Sequence, residues 1–353
     1  MNDNINGNIV VHGGKLVKTT IKQIAERSGL SIQTVSQILN EKPGAYKPDT
    51  RERVRQAASE LGYLPNSSAR AMRTGLFGGL ALLSSTEGQR SLLPMHLLDG
   101  IYDEAAARNL HLIFARMSDD QLTSDRFTPK ILRELMADGL LINYNANIPP
   151  GMIERIKRQG MPAVWINTRQ PNDCVFPDDL LGGQRAAEHL LALGHRRIAF
   201  ANWNGWGHYS ADDRWEGVQT ALRAAGLEPF LSSSAARFNL NEIETALDAL
   251  DQIRAQGVTA VVTYASETAR LLLDAALLRG MAIPKDLSIV NFTDKTDFML
   301  GLRLDAMYLP EYAIGCAAVQ TLLQKIADGT YKAAPQAIPY EIQIGQTAIV
   351  HVP

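Results

Sequence analysis

Residues 28–40 read SGLSIQTVSQILN. Upstream of Gly29, Ile21, Ile24 and Ala25 recur at helical spacing, and downstream Val35, Ile38 and Leu39 do the same. Thr20 with Gln23 three residues on is a capping box, Ser31 is a cap for the second run, and Gly29 lets the chain turn between them. Helix, tight glycine turn and second helix is the geometry that offers a helix to the DNA major groove. The inward positions of that second helix leave Ile32, Gln33, Ser36 and Gln37 on its other faces. A third helix is expected after EKPGAYKP, with Asp49 as N-cap, Val54, Ala57, Ala58 and Leu61 as its stripe and Gly62 as its stop. Together the three make a small all-α helix-turn-helix head.

Charge separates this segment from the rest. From Lys15 to Gly75 there are eleven Lys and Arg against five acids, a surplus of six in a chain whose net charge is −2, so the remainder carries −8. A basic module on an acidic body fits a polyanionic partner for the module alone. At 353 residues, 46 % apolar and 20 % charged, the chain has room for two or three globular domains and is not a low-complexity polymer. Its two cysteines, Cys174 and Cys316, have no Cys or His at ligand spacing, which argues against a disulfide framework and a zinc site. Residues 1–18 lack an apolar signal segment and are expected to be a disordered extension, and no run reaches the ~18 apolar residues of a membrane span. A cytoplasmic, nucleoid-associated protein is expected.

Beyond the head, YLPNSSARAMRTG (63–75) is a polar link able to form a short helix capped by Asn66. From Leu76 onward, short apolar runs (GGLALL, HLIFAR, GLLINY, PAVWIN, RRIAFANW, TAVVTY, LSIVNF, DAMYL) alternate with amphipathic ones. The latter are HLLDGIYDEAAARN, KILRELMADG, GGQRAAEHLLALG, RWEGVQTALRAAG, TARLLLDAALLRG and IGCAAVQTLLQKIADG. Such alternation predicts βαβ units, parallel sheets covered by helices, and two similar lobes with a ligand cleft at the carboxyl ends of the strands.

Over nearly its whole length the sequence resembles the lactose-repressor (LacI/GalR) family of bacterial transcription regulators. The segments that carry the resemblance are TIKQIAERSGLSIQTVSQILN, TRERVRQAASELGYLPNSSARAMRTG, LLALGHRRIAF, RWEGVQTALRAAGL and IPKDLSIVNF. It implies a helix-turn-helix DNA-binding domain at 19–64, a hinge helix at 65–75 and, at 76–353, a two-lobed, periplasmic-binding-protein-like α/β body for effector binding and dimerisation. It further implies a homodimer on palindromic double-stranded operator DNA. The expected role is a repressor of a carbohydrate-utilisation operon, modulated by a sugar or sugar derivative. A nucleobase effector or no effector is the alternative, and a sugar-binding transport-type protein the more distant one.

On this resemblance Ile32, Gln33 and Gln37 touch base edges, Gln by a bidentate bond to adenine and Ile by apolar contact with a thymine methyl. Thr20, Ser31, Thr34, Ser36 and Tyr46 position the head on phosphate and sugar, while Lys22, Lys47, Arg51 and Arg53 supply the salt-dependent attraction. In the hinge, Asn66, Ala69 and Arg73 meet DNA, and Met72 stands where the family wedges an apolar side chain into the minor groove.

For the effector the resemblance assigns Arg214, which begins an R-x-x-G helix, with Ser210, Asn167, Ser91 and an apolar wall at Phe238. Trp206 or Tyr209 is a candidate to stack on a sugar face. Ala265 stands where relatives often have Asn and Thr293 where they often have an acid. Fewer acids near Arg214 favour an anionic or modified sugar over a neutral one. Asp178 and Asp179 read as a helix start and a cleft-edge acid, and His189, His195 and His208 as structural rather than metal ligands. No nucleophile–base constellation emerges, so neither catalysis nor a cofactor is expected.

Overall fold

Every helix of the head starts where a local device stops the backbone from continuing as a strand. Gln23 Oε1 accepts from the Thr20 backbone N–H at 2.8 Å and the Gln23 N–H reaches Thr20 Oγ1 at 3.4 Å, opening α1 (Ile21–Ser28). Gly29 ends it with φ 66°, a left-handed conformation that glycine adopts without a Cβ clash. Ser31 Oγ accepts from the Thr34 N–H at 3.1 Å to open α2 (Ile32–Leu39). The third helix, α3 (Pro48–Glu60), begins on Pro48, whose fixed φ suits the first helical position. Asp49 is therefore not its cap as the sequence suggested: it lies in the first turn, where its charge meets the positive end of the helix. Ile24, Val35, Ile38, Val54 and Ala57 close the head's own core.

The computed structural model describes residues 11–12, 15–16, 19–40, 46–63, 75–87, 90–123, 137–149, 151–158, 160–203, 208–233, 243–294 and 298–352. They form two compact units, Met1–Gly75 and Leu76–Pro353. Hinge residues Asn66, Ala69, Met72 and Arg73, most of KILRELMADG, and Trp206 and Phe238 lie outside the described residues. The extension at 1–18, expected to lack structure, contains a small antiparallel ladder between β1 (Val11–His12) and β2 (Lys15–Leu16).

In the second unit β3 (Gly79–Ser85), β4 (His111–Met117), β5 (Gly139–Asn143), β6 (Ala163–Ile166) and β7 (Cys174–Pro177) pair in parallel, with β15 (Gln336–Ile338) at one edge, in the order β15-β7-β6-β5-β3-β4. A second sheet combines β8 (Ile198–Asn202), β9 (Phe230–Ser233), β10 (Ala260–Thr263), β11 (Ser288–Thr293), β14 (Asp305–Tyr308) and β16 (Glu341–Gln343), with only β16 antiparallel. The central strands are buried along their whole length, as sheets covered on both faces require. A two-stranded ribbon, β12 (Phe298–Met299) with β13 (Leu302–Arg303), precedes β14.

Helices α4 (Met95–Ala106) and α11 (Glu311–Ala327) pack together on the first sheet. On the second, α7 (Asp179–Ala192) crosses α8 (Ser210–Ala224), and α9 (Ile243–Ala255) and α10 (Ser266–Leu278) cover the other face. Close crossings need glycine: a Cβ on Gly183 would overlap the Arg214 carbonyl, and one on Gly217 the Leu180 carbonyl. The shorter helices are α5 (Asp119–Thr123) and α6 (Met152–Arg158). The chain passes from one sheet to the other after β7, after β14 and after β15, so each lobe is assembled from separate stretches of sequence.

Candidate functional site

Two surfaces gather the sequence-predicted residues. On the head, α2 buries Val35 and Ile38 and leaves Ile32 53 % exposed with Gln33 exposed beside it. Gln37 is half-buried, and its Oε1 accepts from the Tyr46 hydroxyl, which occupies one lone pair and orients the amide. The Ser31 and Thr34 hydroxyls bond each other at 2.9 Å. Lys22 and Lys47 are exposed, whereas Arg53 sends Nη2 to the Ser28 carbonyl at 2.5 Å and so serves the end of α1.

The second surface is a cleft of about 510 Å³, a size suited to a small organic ligand. Its walls come from the carboxyl ends of strands in both sheets: Asn145, Asn167 and Pro177 from one, and Tyr264, Thr293 and Leu309 from the other. That is where ligands bind in open α/β sheets, because helix N-termini and loops converge there. Of the residues assigned by resemblance, Asn167, Ser210, Arg214, Ala265 and Thr293 line the cleft. Asn167 has φ 52°, a left-handed conformation that Asn tolerates better than most residues and that turns the chain at the strand end.

Three assignments change. Ser91 does not line the cleft: its hydroxyl accepts from the Ser85 N–H at 2.7 Å and donates to the Asn143 carbonyl at 2.5 Å, bracing the loop after β3. Tyr209 is edge-on to Phe176 with the Arg169 guanidinium over its ring, and it is not a cleft-lining residue. Asp179 is no cleft-edge acid but a buried partner of Arg214, while Asp178 does cap α7 through the Leu181 N–H at 3.1 Å.

Arg214 is 5 % exposed and bonded in three directions. Its Nε donates to Asp179 Oδ1 at 2.8 Å, Nη1 to the Tyr264 carbonyl at 2.7 Å and Nη2 to the Tyr340 hydroxyl at 2.8 Å. The rings of Tyr264, Phe292 and Tyr340 stand around its guanidinium. Fewer acids were expected near Arg214; Asp179 is one that the expectation did not count, and it engages the guanidinium that an anionic ligand would need. Asp179 lies 35 residues before Arg214 in sequence, and only the α7–α8 crossing brings the two together.

Around this anchor the hydroxyls are tied together. Ser210 Oγ bonds the Tyr264 hydroxyl at 2.9 Å and His208 Nδ1 at 2.7 Å, and Ser266 Oγ donates to Thr293 Oγ1 at 3.1 Å. Burial pushes the His208 ring below its ordinary range. The cleft residues that sequence reasoning missed include His208, Tyr264, Glu267, Arg270, Asp294 and Glu311. Glu311, the first residue of α11, is 7 % exposed, and burial together with the Asp294 charge lifts its carboxyl from 4.5 to about 8. Among the described residues no three His, Cys, Asp or Glu side chains converge as a metal site. No described helix is long and apolar enough to cross a membrane.

The family model described as bacterial regulatory proteins, lacI family, matches residues 20–66, and the periplasmic binding protein-like domain model matches residues 187–348. The HTH-type transcriptional regulator RegA of Clostridium saccharobutylicum is 27 % identical over 323 residues, covering 87 % of this chain and 92 % of that one. The lac repressor dimer bound to operator and the anti-inducer ONPF superposes with a TM-score of 0.70 at 21 % identity, over 94 % of this chain and all of that one. The transcriptional regulator CelR in complex with cellobiose does so with a TM-score of 0.59 at 19 % identity, over 94 % and 100 % of the two chains. Head model, body model, full-length relative and shared fold agree with the capped helix-turn-helix and the two parallel sheets: the chain belongs to the lacI family of DNA-binding transcriptional regulators.

Proposed function

We propose that this chain is a homodimeric repressor of a carbohydrate-utilisation operon, in which α2 reads a near-palindromic operator and a small sugar or sugar derivative in the cleft alters operator affinity. The observation that carries the reading is the exposed Ile32–Gln33 edge of α2 opposite its buried Val35 and Ile38. A helix anchored on one face and bearing an amide and an apolar side chain at the start of the other is suited to base edges in a major groove. Residues 19–64 are then the DNA-binding domain, 65–75 a hinge that orders on DNA with Met72 as its wedge, and 76–353 the effector and dimerisation domain.

The related fold is seen as a dimer on operator in the lac repressor and with cellobiose in CelR, which makes both partners reasonable here. Exposed apolar side chains on both lobes, Met95, Tyr102 and Phe114 on one and Leu277 and Leu278 on the other, suit burial against a second copy. One small head covers too little DNA for tight specific binding, whereas two related by a twofold read two half-sites.

Selection from randomised duplexes with the full chain, followed by gel shifts at two salt concentrations, tests the reading. Gln33→Ala is expected to cost ~1–3 kcal/mol at one base pair of each half-site. Lys47→Ala is expected to weaken all sequences alike and to lower the salt slope by about one. Absence of DNA binding at low salt, or an unchanged base preference in Gln33→Ala, overturns it.

A further inference from the structure

Glu311 is used by neither the DNA face nor the Arg214 anchor. It lines the cleft, it is 7 % exposed, and its Oε2 has no hydrogen-bond partner among the described residues. A carboxyl oxygen withdrawn from water without a donor is costly, so a buried one on a cleft-lining residue marks where a ligand group completes the bonding. Burial, with the Asp294 carboxylate adding to it, holds Glu311 protonated at pH 7 before a ligand arrives.

The surrounding charges decide which ligand group fits. Asp294 follows β11, Glu267 and Arg270 sit on α10, Arg214 sits on α8 and His208 just before it. Arg214 is neutralised by Asp179 at 2.8 Å, and burial lowers the His208 ring's affinity for a proton, which favours its neutral form. Arg270 is exposed and has Asp274 at 3.7 Å. Glu267 and Asp294 are exposed like Arg270, so among the described cleft residues acids outnumber the base left unneutralised, and a ligand anion near Glu311 would meet like charge. A ligand ammonium would instead displace the Glu311 proton to solvent and find carboxylates at hand.

Resting on the effector reading above, we propose that Glu311 and Asp294 form a cation-reading corner of the cleft, and that the effector is an amine-bearing sugar rather than a sugar acid or a neutral sugar. One proton leaves for each charged amine bound, so affinity is expected to rise about tenfold per pH unit while Glu311 begins protonated and the amine stays charged.

Calorimetric titration of the full chain with D-glucosamine, D-galactosamine, D-glucose and D-gluconate at pH 5.5 and 6.5 reads this directly. Binding of a hexosamine, strengthening about tenfold between those pH values and falling at least tenfold with loss of the pH slope in Glu311→Gln, is the expected result. Retained operator binding by Glu311→Gln shows that the variant is folded. Asp294→Asn serves as the second variant and is expected to weaken hexosamine binding while leaving Glu311 in place. Hexosamine binding that is flat with pH and equal in Glu311→Gln overturns the corner but leaves the effector reading standing, as does binding of glucose or gluconate alone. Binding by none of the four, with operator binding intact, overturns both.

Discussion

Glu311 is a residue whose own titration reports its surroundings. Its carboxyl ordinarily titrates at 4.5 and is held to about 8 by burial, so the folded chain binds a proton that the unfolded chain releases between those values. Stability contributed by this site is therefore present at low pH and is lost as pH rises toward 8. Glu311→Gln keeps the shape and removes the charge. We expect its melting temperature to match the parent near pH 5 and to exceed it increasingly up to about pH 8, where the gap levels off; parallel melting curves from pH 5 to 8 would show the group to be solvated instead. Arg214 differs in kind, since truncating it would leave Asp179 buried without its counter-charge. Asp213 is intermediate: burial pushes its carboxyl up to about 6, while the Arg169 guanidinium bonded to it pulls the other way.

Among elements, the α7–α8 crossing sets the geometry of the anchor, because it brings Asp179 and Arg214 together. It depends on Gly183 and Gly217, where an added Cβ would meet backbone carbonyl oxygens that cannot swing aside. Gly217→Ala is expected to cost ~1–3 kcal/mol or more by forcing the helices apart. Gly329→Ala, where a Cβ meets nothing within 4 Å, is expected to stay within ~0.5 kcal/mol of the parent. Thermal unfolding of the two variants against the parent checks both, and equal melting temperatures would mean that the crossing can relax. The same device recurs where α4 meets α11: Gly100 faces the Tyr312 carbonyl and Gly315 the Leu97 carbonyl. This second crossing fixes where α11 begins, and hence where Glu311 stands.

At the scale of the whole molecule, the exposed apolar side chains of the body bear on assembly. Met95 and Tyr102 lie seven residues apart on α4, hence on one face, and are 69 % and 60 % exposed. Light scattering at micromolar concentration is expected to give a dimer, and Met95→Asp with Tyr102→Asp to shift it toward monomer while the melting temperature stays near that of the parent. A monomeric or tetrameric parent would contradict the assembly proposed above.

The head was legible residue by residue because its signals are local. Thr20 with Gln23, Gly29 and Ser31 act within one helical turn of themselves, and period-3.6 stripes report burial in so small a core. The parallel sheets were legible for the same reason: buried central strands read as continuous apolar runs. The strands Cys174–Pro177, Phe230–Ser233, Gln336–Ile338 and Glu341–Gln343 escaped, being only three or four residues long. Helix Ile243–Ala255 does carry an apolar stripe, Ala246, Ala249, Leu250 and Ile253, at helical spacing. The cleft was legible as Arg214 with Ser210 and Asn167, but its electrostatics were not. Asp179 lies 35 residues before Arg214 and Tyr340 lies 126 after it. Glu311 lies just before the predicted helical run IGCAAVQTLLQKIADG and carries no signal of its own in sequence; only folding withdraws it from water. Local caps and periodicity thus determined the elements and the resemblance of whole segments pointed to the family, whereas the charge state of the cleft depends on burial and on partners distant in sequence, which only the tertiary structure decides.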